Sequence, residues 1–181
     1  MTESLLTAPF AQGIGLAGAA FGMAWPLFRS RFGMLMGQLA VNLCFALHYL
    51  LLDAWTGCVM NLFAAAQVVA AVPLGTRPRF RLVYLAVLPF IAAGVALTWN
   101  GVASAFAALA FGCVSLARYQ IQVRPFRVAM AVAFPCWLTH NLLVFSVPGV
   151  VSDVVGMTLN LVMLVRLLWP RSRAPSELVL K

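Results

Sequence analysis

Residues 44–61 read CFALHYLLLDAWTGCVMN, and residues 136–153 read CWLTHNLLVFSVPGVVSD. Aligned, they give Cys44-x3-His48-x8-Gly57-x3-Asn61 and Cys136-x3-His140-x8-Gly149-x3-Asp153, 92 residues apart, with a Leu pair after each His at Leu50-Leu51 and Leu142-Leu143. His48 and His140 are the only two histidines in the chain. Their fall at matching positions speaks for a duplicated unit rather than for chance similarity between apolar stretches.

The surroundings of the two phrases say where that unit lives. Of 181 residues, 64% are hydrophobic and 9% charged, more apolar surface than a water-facing domain of this size could hide in one core. The mean hydropathy is +0.99. Arg, Gly and Pro interrupt the apolar stretches, and strand-like alternation is missing, which predicts spanning helices of roughly twenty residues rather than a barrel. Seven spans are expected, near 9–28, 33–52, 56–73, 82–99, 102–121, 128–146 and 150–169. The first follows Met1-Thr2-Glu3-Ser4, without a basic n-region or an Ala-x-Ala site, and reads as a retained helix rather than a signal peptide.

The net charge of +8 follows a pattern along this layout. Arg29 and Arg31 follow span 1, Arg77, Arg79 and Arg81 follow span 3, and Arg118, Arg124 and Arg127 bracket the turn between spans 5 and 6. Arg166, Arg171, Arg173 and Lys181 lie at the C-terminal end, while the connections near Asp53, Asn100 and Ser146 carry no basic residue. All twelve cations thus fall on one side, predicting an outside (periplasmic) N-terminus and a cytoplasmic C-terminus. They read as topology signals that also touch anionic lipid headgroups, and no motif supports nucleic-acid binding.

An odd number of crossings inverts a tandem copy, so an unpaired fourth span is needed to restore direction. The expected fold is therefore all-α: a single membrane domain over 1–181 with a first three-helix repeat at 9–73, a linker helix at 82–99, a second repeat at 102–169 and a cytoplasmic tail at 170–181. The two repeats run parallel, related by a pseudo-twofold axis along the membrane normal.

The segments Leu47-His48-Tyr49-Leu50-Leu51 and Cys136-Trp137-Leu138-Thr139-His140-Asn141, each followed by a Gly and a polar residue, resemble the YgjV-type bacterial inner-membrane proteins. That resemblance implies an inner-membrane location rather than a reaction. More distantly, the three-one-three layout with an outside N-terminus is similar to the SWEET and PQ-loop transporters, which move sugars or amino acids. The chain contains no Pro-Gln dipeptide, and span 5 has no Pro. Architecture by itself does not fix function.

Polar residues inside a bundle must find partners or line a wet cavity. Span 2 carries Gln38, Asn42 and His48, and span 6 carries Thr139, His140 and Asn141. Asn61 and Asp153 enter from the same side on spans 3 and 7. His48, Asn61, His140, Asn141, Asp153 and Asn42 are accordingly the expected lining of a substrate pocket in the outer half. Beside this stand plainer readings: a His bonded to a backbone carbonyl, and Asp153 capping the N-terminus of span 7.

Cys44 with His48 and Cys136 with His140 are i,i+4 pairs, so a Cys2His2 metal set or a haem between spans 2 and 6 is a further alternative. Packing accounts better for the cysteines, and no metal or cofactor is expected. No Ser/His/Asp set, P-loop or paired carboxylates occur, and Glu3, Asp53, Asp153 and Glu177 are the only acids, so catalysis is not expected. Gly15, Gly18 and Gly22 give span 1 a small-residue face, suited to close helix contact and compatible with a homo-oligomer. The expected partners are membrane lipids and a small-molecule solute. The competing reading is a non-transporting membrane scaffold or assembly protein.

Overall fold

The computed structural model describes residues 2–24, 31–74, 81–120 and 122–168. Among these residues every regular element is a helix: α1 (Thr2–Ala24), α2 (Arg31–Leu51), α3 (Trp55–Leu74), α4 (Val83–Ala86), α5 (Leu88–Thr98), α6 (Val102–Tyr119), α7 (Val123–Leu143) and α8 (Val147–Leu168). Each expected span finds a helix. The fourth is divided into α4 and α5 at Val87, where Pro89 at the start of α5 has no N–H to continue the ladder. Helices α6 and α8 are long and apolar enough to cross a bilayer, and Leu35–Leu51, Trp55–Ala71 and Val83–Thr98 are shorter apolar stretches. Trp55 and Trp99 are exposed at helix ends, as suits side chains at a membrane–water boundary, whereas Trp25 and Trp169 lie outside the described residues. So do Arg29, Arg77, Arg79, Arg171, Arg173 and Lys181.

The distribution of side chains is inverted relative to a water-soluble bundle. Large apolar groups such as Phe10, Leu97 and Val165 are exposed, while Asn42, His48, Asn61, Gln67, His140, Asn141, Asp153 and Asn160 are buried. An apolar exterior around a polar interior is stable in hydrocarbon, where buried polar groups satisfy one another.

Two matching turns close one end of the bundle. In the first, Ala54 N–H donates to Tyr49 O and Asp53 N–H to Leu50 O; in the second, Ser146 N–H donates to Asn141 O and Phe145 N–H to Leu142 O. Both are Schellman caps, and their left-handed residues, Asp53 at φ 56° and Phe145 at φ 55°, are 92 positions apart. Neither is Gly, so each carries the steric cost of that conformation. Gly101, at φ 71° and ψ −155° just before α6, takes a different conformation that a Cβ would strain.

Packing is close where side chains are small. Helix α1 packs on α2 and α8, α3 on α2 and α6, and α7 on α6 and α8, while α4 and α5 pack on α3 and α6. The glycine face of α1 meets these neighbours: a Cβ at Gly18 would stand 3.0 Å from Cys44 Cβ, and one at Gly15 would stand 2.8 Å from the His48 ring. Helix α7 continues through Pro135, and Thr139 hydroxyl donates to the Pro135 carbonyl at 2.9 Å. Thr56 ties the start of α3 to its neighbours, its hydroxyl 2.7 Å from both Thr98 O and Ser104 Oγ.

Candidate functional site

The two histidines are held alike on one side of the ring and differently on the other. His48 Nδ1 lies 2.7 Å from Ala11 O and His140 Nδ1 2.9 Å from Ala103 O, and both contacts span 37 residues. A carbonyl only accepts, so Nδ1 carries the proton in each ring and Nε2 of the neutral ring accepts. At His48 that acceptor is met by the Ser146 hydroxyl at 2.7 Å. Ser146 Oγ also receives Gly149 N–H at 3.1 Å, capping α8. The position 92 residues before Ser146 is Ala54. His140 Nε2 is buried without a hydrogen-bond partner among the described residues, against Gly57, where a Cβ would stand 2.6 Å from it.

Between the rings runs a short polar chain. Tyr49 hydroxyl donates to Asn141 Oδ1 at 2.6 Å, and Asn141 Nδ2 donates to Asp153 Oδ2 at 2.7 Å. Tyr49 stacks on Trp137 at 6.2 Å and on Phe45 at 5.8 Å. This chain forms the wall of a cavity of about 200 Å³ enclosed by α2, α3, α6, α7 and α8. Asn42, Phe45 and Tyr49 line it from α2, Asn61 from α3, Phe134, Trp137 and Asn141 from α7, and Ser152 and Asp153 from α8. Asn61 Nδ2 turns back to Gly57 O at 2.9 Å.

The cavity brings together four of the six residues expected there: Asn42, Asn61, Asn141 and Asp153. His48 and His140 do not line it. They stand behind Tyr49, because their Nδ1 protons are spent on the carbonyls of α1 and α6, and this overturns their expected place in the lining. Asp153 does not cap its helix either, since α8 starts at Val147 with Ser146 as the cap. Among the described residues no three His, Cys, Asp or Glu side chains come together, so the Cys2His2 set is not assembled. With both its nitrogens engaged, His48 is also not a free haem ligand.

Arg118 is the residue that sequence reasoning misplaced. It was expected at the headgroups, yet it lines the central cavity from α6 and donates from Nη1 to Gln67 Oε1 at 2.7 Å. Gln67 in turn donates to Ser115 Oγ at 3.0 Å. On its other side Arg118 borders a second cavity of about 90 Å³ with Gln38, Gln67 and Tyr84. The signal was available: Arg118 lies inside the expected span 102–121, and an ionisable residue within a span marks a functional position by default. Arg127 is likewise turned inward, 3.4 Å from Asn160 Oδ1. Tyr49 carries no such signal in the sequence, because aromatic residues in apolar helices mostly serve packing.

The chain matches the model of the Imp-YgjV family, described as bacterial inner membrane protein, over residues 9–170. No curated protein and no solved structure matches it.

Proposed function

The chain belongs to the Imp-YgjV family of bacterial inner-membrane proteins, and from that premise we propose that it is a seven-span, transporter-like protein whose central cavity binds a small solute. The observation that carries this reading is the cavity itself, a largely apolar chamber into which Asn42, Asn61, Arg118, Asn141 and Asp153 bring polar and charged groups, inside an apolar-surfaced bundle. Its lining pairs residues 92 apart: Asn42 with Phe134, Phe45 with Trp137, Tyr49 with Asn141, and Asn61 with Asp153. A chamber where equivalent positions meet is where repeat-built transporters bind their substrates.

The layout proposed is two parallel three-helix repeats, α1 to α3 and α6 to α8, joined by α4 and α5. Three features support it: the matched Schellman turns, the matched His-to-carbonyl contacts, and the exchange by which α1 packs on α8 while α3 packs on α6. The one-sided cations support an outside N-terminus and a cytoplasmic C-terminus. The likeness to SWEET and PQ-loop transporters rests on this layout alone.

The test is solute flux into proteoliposomes containing the purified chain, compared with Ala64→Phe, which fills the cavity from α3. The expected result is uptake of at least one solute by the native chain and its loss in the variant. Flux no greater than in empty liposomes across a broad solute panel would end the transporter reading and leave the scaffold reading in its place.

A further inference from the structure

We infer that the solute taken by the central cavity is a small zwitterion, its ammonium at Asp153 and its carboxylate at Arg118; this rests on the solute-binding reading above. Both charged side chains line the same cavity. Asp153 is held by the Asn141 amide and Arg118 by the Gln67 amide oxygen, and no ion pair joins either to another charge among the described residues. Opposite charges inside a bundle normally pair, because each is costly in isolation. Here they are held apart across an open chamber, each with one neutral partner, which leaves a place for a ligand that carries both complements.

The two charges stand at different depths in the bundle. Tyr49 and Asn141, each just before one of the matching turns, touch, so α3 and α8 start from the same side. Asp153 stands six residues into α8 and Gln67 twelve into α3, which sets the guanidinium's partner about 9 Å deeper than the carboxylate. A cavity of about 200 Å³ is below the roughly 300 Å³ at which pockets for larger ligands begin, which limits the ligand to the size of a small amino acid. Phe45, Tyr49 and Trp137 supply an aromatic wall of the same cavity.

The experiment is a thermal-shift titration of the full-length chain in nanodiscs with glycine, β-alanine, glycine betaine, ethylamine, propionate and glycerol. A zwitterion at ten times its Kd should raise Tm by about 3–6 °C, with ethylamine, propionate and glycerol at the same concentration giving less. In Asp153→Asn the advantage of the zwitterion over propionate should vanish, and in Asp153→Glu it should return in part. In Arg118→Gln the advantage over ethylamine should vanish. A shift by glycerol as large as by any zwitterion overturns the zwitterion assignment and leaves solute binding intact. A zwitterion shift unchanged in Asp153→Asn also overturns it, because the ammonium then lies elsewhere. No shift with any of the six, together with no flux in the broader panel, overturns both readings. Should the variants fail to fold, selectivity among the six solutes in the native chain decides alone.

Discussion

The hydroxyl of Tyr49 donates a 2.6 Å hydrogen bond to Asn141 Oδ1, and the two residues are 92 positions apart, the same offset that separates the two Cys-x3-His phrases. In a duplicated bundle, residues that are copies of one another touch only near the axis that relates the copies. The contact therefore marks where the proposed axis passes, and Asp153 extends the chain from it into the cavity.

Removing the Tyr49 hydroxyl leaves Asn141 Oδ1 buried without its donor. Tyr49→Phe should lower unfolding stability in detergent by about 1–3 kcal/mol. Asn141→Ala should cost more, since it strands both Tyr49 and Asp153. A chemical-denaturation series on the two variants gives the order, and the reverse order would contradict the chain described.

The unequal histidines predict a stabilising change. Ala54→Ser offers the turn before α3 the hydroxyl that Ser146 offers the turn before α8, supplying a helix cap and a donor for His140 Nε2. The gain should be about 1 kcal/mol, whereas Ser146→Ala should lose about 1–3 kcal/mol by removing the cap and the donor to His48. Melting temperatures of the two variants in one detergent are the check.

Close approach at two glycines has a graded consequence. A Cβ at Gly57 would stand 2.6 Å from His140 Nε2 and 3.1 Å from the Tyr49 ring, and one at Gly149 would press on the side-chain amide of Asn141. Both substitutions to Ala should destabilise by about 1–3 kcal/mol. Only Gly149→Ala moves the amide that holds Asp153, so it should also weaken solute-induced thermal shifts.

Asp53 sits exposed at φ 56° in its Schellman turn, with no compensating side-chain hydrogen bond among the described residues. Asp53→Gly should raise stability by about 1 kcal/mol. An unchanged or lowered melting temperature would show that the Asp53 side chain supports the turn.

Composition and the recurring phrase were enough to determine an all-helical membrane chain with helices at seven places, because apolar length and punctuation are local properties that the bilayer reads directly. Four cavity residues were legible too, since an amide or carboxylate in an apolar helix has few places to go. The assignment of the histidines was not. Whether His48 faces a chamber or a backbone carbonyl depends on how far α1 approaches, and that distance is set by Gly15 and its neighbours on another helix. Arg118 shows the same limit from the other side: its charge marked a membrane edge, yet its partner Gln67 lies 51 positions away on α3. The sequence pattern placed polar residues on α2, α3, α7 and α8. Only the packing of five helices around one chamber decided which polar groups satisfy each other and which are left to meet a ligand.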